Sequence, residues 1–263
     1  MGASSAGSHR ARYVGGWHDR RVEIVGAEWP TVERIRERHA RILGRLRTAA
    51  EAGGHDPERL RIVAVTKTWP ADVARAALDA GLKRLGESRV QEAEPKVAEL
   101  SDAEWHFIGR LQSNKARRAV RAFEVIHSVD SVEMLRRIDE IAAEEGRAPD
   151  LLLQVNVSGE PAKGGTAAQV LEAGSIGPLA AARLVGLMTI APMGATDAEA
   201  RSVFAALREL RDRLEQRAGI GLPELSMGMS ADAEAAAAEG ATLVRIGTAL
   251  FGPRSRTLVF SPP

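Results

Sequence analysis

Lys67 follows directly on the apolar run Ile62-Val63-Ala64-Val65-Thr66, where a strand end would aim its amine into a cavity rather than open solvent. Burial there disfavours the ammonium form, and the neutral amine is the species that attacks an aldehyde to form a Schiff base. Position alone leaves a snorkelling strand-end lysine as the alternative. Far along the chain, Ser226-Met227-Gly228-Met229-Ser230 and Arg245-Ile246-Gly247-Thr248-Ala249 each join an apolar run to a helical pattern. Small residues let backbone N–H groups approach an oxyanion, hydroxyls add donors, and a helix start favours negative charge. Here the alternative is a pair of ordinary N-caps, Ser230 and Thr248. An amine on one side and two phosphate-suited turns on the other outline pyridoxal 5′-phosphate (PLP).

Other chemistry-bearing residues point less sharply. His106 and His127 lie within buried strand patterns and read as hydrogen-bonded core histidines, with no carboxylate at metal-ligand spacing and no metal site expected. Glu87, Glu92 and Glu94 read as negative charge decorating the start of a helix. The chain contains no cysteine, which excludes disulfides, thiolate nucleophiles and cysteine-based metal clusters, and makes the cytoplasm the default expectation. A net charge of +1 offers no field for nucleic acid or an anionic membrane, so any anion site must be local. No stretch is apolar enough for a signal-peptide core or a bilayer span.

The elements that must position these residues are eight short apolar runs alternating with helical patterns: RIVAV, KRLG, WHFIG, FEVIHSV, LLLQVNV, RLVGLMTI, PELSM and TLVRIG. The first and fifth are nearly continuous rather than alternating, as expected of parallel strands covered on both faces. Helical spacing is clear in Val132, Leu135, Ile138 and Ile141, and again in Val203, Phe204, Leu207, Leu210 and Leu214. Eight strand-helix repeats favour an α/β fold with a single closed (β/α)8 TIM barrel over an open sheet. A barrel places active groups at the carboxyl ends of its strands, and the runs end in polar or small residues: Lys67, Glu87 and Ser88, Gly109, Ser128, Asn156, Thr189, Ser226, and Arg245 with Gly247. An extra helix from Thr31 to Gly53 precedes the first run, with an arginine-rich face read as solvated. The expected organisation is a flexible extension over 1–30, a barrel over 31–256 and a tail over 257–263.

The motifs AVTKTWP (64–70), GESRVQE (86–92), WHFIGRLQSNK (105–115), QVNVSGEPAKGG (154–165), GLMTIAP (186–192), LSMGMS (225–230) and VRIGTALFG (244–252) together resemble the YggS-type (PROSC-like) pyridoxal phosphate homeostasis proteins. The resemblance covers about residues 31 to 254. It implies a fold-type III PLP-binding barrel similar to the N-terminal domain of alanine racemase, without that enzyme's second domain. By the same resemblance Lys67 is similar to the Schiff-base lysine and Arg245 to the arginine facing the pyridine nitrogen. Ser226, Met227, Ser230, Gly247 and Thr248 fall in the phosphate-binding motifs, Asn156 resembles a residue near the cofactor ring, and Met188 joins the cofactor-binding set. Lys163 matches a lysine linked to cofactor transfer. The family usually reads GEN where this chain has Gly86-Glu87-Ser88, so the hydrogen bonding of the usual asparagine amide is in question here.

The function these residues imply is storage and delivery of PLP in vitamin B6 homeostasis rather than turnover. A permanently charged guanidinium opposite the pyridine nitrogen weakens the electron sink. Racemase chemistry further needs a second acid/base, a tyrosine in alanine racemase, whereas the sole tyrosine here is Tyr13. A weak amino-acid racemase, and an aldolase using Lys67 without cofactor, are the competing readings. The expected partners are PLP itself and apo PLP-dependent enzymes, and the expected state is a monomer.

Overall fold

The computed structural model describes residues 21–24, 30–157, 165–168, 171, 177–253 and 258–261. Each of the eight apolar runs forms a strand: β1 (Arg61–Val65), β2 (Arg84–Glu87), β3 (Glu104–Phe107), β4 (Val125–Val129), β5 (Asp150–Asn156), β6 (Arg183–Met188), β7 (Glu224–Met229) and β8 (Leu243–Ile246). Neighbours in sequence pair in parallel all the way round, and β8 pairs with β1 in the register Arg245 opposite Val63, so the sheet closes into a barrel. Parallel strands need crossovers on the outside, which buries both faces and explains why β4 is buried at every position.

The alternation of the strands sorts two cores. Val63, Val125, Leu152, Met188 and Leu243 meet inside the barrel. Their neighbours in sequence, such as Ile62, Ala64, Ile126, Leu151, Leu153 and Val244, pack outward against the helices. The helices are α1 (Val32–Ala52), α2 (Ala71–Asp79), α3 (Val90–Glu99), α4 (Ala116–Ala122), α5 (Val132–Glu145), α6 (Asp197–Ala218), α7 (Ala233–Ala238) and α8 (Thr248–Phe251). Local sequence sets several ends. Thr31 caps α1, Ser131 caps α5, and Thr196 with Glu199 forms a reciprocal capping box on α6.

The extra helix α1 packs on α7, α8 and α2, covering the seam where β8 meets β1. Its arginine face is solvated, with Arg36, Arg41 and Arg45 exposed and Arg34, Arg38 and Arg47 half-buried, and several of these side chains also reach neighbouring elements. Arg36 donates to the Asp79 carbonyl and Arg38 to the Leu250 carbonyl, while Arg45 pairs with Glu234 and Arg47 with Glu58. These contacts tie the helix to the short elements it covers.

Within the segments expected to be extension and tail, Arg21–Ile24 and Leu258–Ser261 pair as a two-stranded antiparallel sheet; the rest of the extension before Pro30 lies outside the described residues. The crossover from β5 to β6 is described only in part. It includes the short strand Thr166–Ala167, which pairs with Val155 and Asn156. No helix among the described residues is long and apolar enough to cross a membrane.

Candidate functional site

At the amino-terminal floor of the barrel, ion pairs link the strand starts: Arg61 with Glu224, Arg84 with Glu104 at 3.4 Å, Arg147 with Glu124 at 3.6 Å and Arg183 with Asp150 at 2.6 Å. The opposite mouth carries the sequence-derived candidates. Lys67 lies just past β1, half-buried, with the same parity as the inward-facing Val63. The next residue, Thr68, holds a left-handed backbone (φ 67°), uncommon for a non-glycine residue, and donates its N–H to Glu92. Behind this turn, in the layer between strands and helix, Lys96 of α3 donates to Glu87 Oε1 at 2.7 Å and to the Thr66 carbonyl at 3.1 Å. Thr66 Oγ1 also donates to Glu87, at 2.8 Å. Glu87 is therefore part of a buried ion pair rather than a surface decoration of the helix start, whereas Glu94 does sit at the surface and pairs with Arg118. Burial pushes the Glu87 carboxyl above its ordinary range, and Lys96 pulls it back.

Arg245 is 3% exposed on the inner face of β8, beside β1. Nη1 donates to Ser226 Oγ at 2.6 Å and Nη2 to the Thr189 carbonyl at 3.0 Å. Burial lowers its pKa to about 10, with Asp232 opposing, so the guanidinium remains cationic at neutral pH. From Ser226 a polar chain continues through the core. His127 Nδ1 lies 2.7 Å from Ser226 Oγ, His106 Nδ1 lies 2.7 Å from His127 Nε2, and His106 Nε2 lies 3.0 Å from Glu104 Oε1 at the floor. Burial holds His127 well below the usual imidazole range, reinforced by His106 and Arg245. The hydrogen bond with His106 holds Glu104 below the usual carboxylate range, against burial and with help from Arg84 and Arg61.

The turns after β7 and β8 meet at the mouth, where the Ala249 N–H approaches Ser230 Oγ at 3.5 Å. Neither residue is an N-cap: Asp232 and Gly247 occupy those positions with no side-chain cap bond, although Ser230 Oγ accepts from the first-turn N–H of Ala249 in α8. Ser230 and Thr248 are exposed and Gly247 is half-exposed, leaving their donors accessible. Gly228 makes the tight approach feasible, since at φ 86° an added Cβ would come within 2.5 Å of Ala236 Cβ.

Asn156 ends β5 half-buried, on the inner parity of Leu152, and Met188 belongs to the inner core itself. Met227 is fully buried in the outer core, so its side chain faces away from the mouth. Lys163 lies outside the described residues. Ser88 is half-buried, and its carbonyl oxygen would lie only 2.1 Å from a Cβ on Gly109, which explains a glycine at the end of β3. Lys67, Arg245, Ser226, Gly247, Ser230 and Thr248 are thus gathered at one end of the barrel by β1, β7 and β8. Sequence reasoning sets Thr189 at a strand end and reads His106 and His127 as hydrogen-bonded core residues, as they are; it misses Lys96, the Thr189 carbonyl as a partner of Arg245, and the linkage of Glu104 through both histidines to Ser226. For the chain, the only linear signal is the matching parity of Glu104 and His106 on one strand.

Comparison with known proteins bears on this arrangement. Residues 45–255 match the alanine racemase N-terminal domain family. A pyridoxal phosphate homeostasis protein of Pseudomonas aeruginosa is 47% identical over 225 residues, covering 84% of this chain and 96% of the relative. The Synechococcus elongatus protein PipY, solved with PLP bound, is 43% identical, with a TM-score of 0.71 over 83% of this chain and 100% of its own. Alanine racemase of Clostridium difficile shares the fold at 15% identity, with a TM-score of 0.67 over 87% of this chain and 62% of the enzyme. By sequence and fold alike, the chain belongs to the pyridoxal phosphate homeostasis protein family, built on the alanine racemase N-terminal domain.

Proposed function

We propose that this protein binds PLP at the barrel mouth through a Schiff base on Lys67, and stores and delivers the cofactor rather than turning over substrate at speed. The observation that carries the proposal is the convergence of three chemically distinct features on one mouth. Lys67 supplies the amine. The Ser230 and Gly247-Thr248 turns supply small, donor-rich backbone for a phosphate, and Arg245 supplies a buried cation. This donor set fits PLP, which brings an electrophilic aldehyde, an electron-withdrawing ring and a phosphate when bound. Solution of PipY with PLP bound, and the names of the curated relatives, support the same reading.

In this reading Arg245 faces the pyridine nitrogen and, remaining cationic, disfavours its protonation. Asn156 and Met188 border the ring, and Ser226 acts through Arg245. A weakened electron sink, with the sole tyrosine at Tyr13 in the amino-terminal extension, supports a carrier over a racemase. Apo PLP-dependent enzymes in the cytoplasm are the recipients this role calls for, with Lys163 assisting transfer and the protein acting as a monomer.

The test is borohydride reduction of the yellow holoprotein followed by peptide mass spectrometry. A pyridoxyl group on Lys67, a Lys67→Ala variant without the covalent visible band and a Lys163→Ala variant that keeps it are the expected results. A reduced adduct on any other lysine overturns the assignment. Racemisation of added L-amino acids at enzyme-like rates overturns the carrier role.

A further inference from the structure

We propose that Glu104, His106 and His127 are positioning residues that impose one proton order on the chain through the barrel core, and thereby hold the Arg245 guanidinium in one orientation at the mouth. The proton order follows from the geometry of this chain alone; its consequence for PLP rests on the function proposed above.

Four contacts link the floor to the mouth: Glu104 to His106 at 3.0 Å, His106 to His127 at 2.7 Å, His127 to Ser226 at 2.7 Å and Ser226 to Arg245 at 2.6 Å. All four imidazole nitrogens are engaged, and both rings are essentially inaccessible, at 1% and 0% exposure. Water therefore has no room to substitute between the rings or toward Ser226, while Glu104, its side chain 40% exposed, meets solvent at the floor. A neutral imidazole offers one donor and one acceptor, a carboxylate only accepts and a guanidinium only donates. For two neutral rings the ends of the chain consequently dictate its middle. Glu104 accepts from His106 Nε2–H, and the bare His106 Nδ1 accepts from His127 Nε2–H. His127 Nδ1 then accepts the Ser226 hydroxyl proton, leaving a Ser226 lone pair for Arg245.

Reversing the order would turn a bare His106 Nε2 toward the Glu104 carboxylate at 3.0 Å, setting acceptor against acceptor, unless an extra proton entered the core. An extra proton on His127 would face Arg245, whereas one on His106 would face Glu104 and is the alternative that the tautomer measurement separates. Arg84 and Arg61 face Glu104 from β2 and β1, Arg245 faces His127 from β8, and Asp232 balances Arg245 from the turn after β7. With the Ser226 hydroxyl proton directed to His127, so that the oxygen is turned toward Arg245, and with the Thr189 carbonyl taking a second N–H, the planar guanidinium is held at two points. A floor residue thus acts on the mouth across the full depth of the barrel.

Long-range proton–nitrogen correlation spectra of full-length protein with isotope-labelled histidine read the tautomers directly, with His106→Asn and His127→Asn serving for assignment. Both rings are expected as neutral Nε2–H tautomers at neutral pH. A His127 carrying its proton on Nδ1, or either ring doubly protonated, overturns the proposal whether or not PLP binds. In Glu104→Gln, whose amide can donate as well as accept, both rings should become tautomer mixtures. When that variant is loaded with nitrogen-labelled PLP, the pyridine nitrogen resonance should shift toward the protonated position. Glu124→Gln, a floor carboxylate outside the chain, should leave both signals in place. Unchanged tautomers in a folded Glu104→Gln also overturn it. A wild type that takes up no PLP instead defeats the proposed function, while the tautomers still decide the proton order.

Discussion

Lys96 shows how much one residue can hide from linear inspection. It sits in the helical motif VQEAEPK, where a lysine ordinarily faces water, yet it is 1% exposed and spans the gap from α3 to Glu87 and the Thr66 carbonyl. The second Glu87 oxygen is buried with no hydrogen-bond partner, so the carboxylate depends on Lys96 and Thr66. Because Thr66 immediately precedes Lys67, this pair braces the turn that presents the amine. Removing one partner of a buried pair strands the other charge. Lys96→Met should therefore cost about 3–5 kcal/mol in urea denaturation. Adding Glu87→Gln to that variant should recover part of the loss, and the yield of reduced adduct at Lys67 should fall in the single variant and partly return in the double. An unaltered denaturation midpoint in Lys96→Met would show that the pair braces nothing.

At the scale of elements, the mouth depends on how the turn after β7 leaves the sheet. Gly228 adopts φ 86°, and its missing Cβ leaves room for Ala236 and Ala233 of α7. Gly228→Ala combines backbone strain with a clash against a helix that cannot yield locally. The expected destabilisation is about 1–3 kcal/mol, accompanied by weaker retention of PLP on gel filtration as Ser230 moves away from Ala249. Gly194→Ala is the matched comparison, with φ 78° but open space around its Cβ, so PLP retention should be unaffected there. Equal loss of retention in the two variants would assign the effect to general instability rather than to the turn. The element α1 adds a second lesson: its apolar spacing was readable, whereas its arginine face serves as a set of anchors, because the shortness of α7 and α8 leaves the barrel seam to be covered from elsewhere.

At the scale of the whole molecule, one end of the barrel carries ion pairs and the other the candidate site, and the buried histidine chain joins them. That chain gives stability a pH dependence. His127 remains neutral in the folded protein well below its ordinary value of 6.5, whereas in the unfolded chain it takes up a proton below that value. Stability is therefore complete above pH 6.5 and is lost as pH falls, by up to about 1.4 kcal/mol per pH unit from this group. His39 and His55 are lowered too and act in the same direction, so the diagnostic quantity is the difference between wild type and His127→Gln. The variant should lose less stability over the first pH unit or two below 6.5, measured by denaturant midpoints. Parallel pH profiles would remove His127 from the account. The eight strands, the closed barrel and the placement of Lys67 and Arg245 at strand ends were legible in the amino-acid order, because hydrophobic periodicity is local and every second strand residue turns inward. The Lys96–Glu87 brace, the meeting of Ser230 with Ala249 and the Glu104-to-Arg245 chain were decided only by tertiary structure. Their members come from β2 and α3, from the turns after β7 and β8, and from β3, β4, β7 and β8, and no local pattern encodes which polar atoms meet once the sheet has closed.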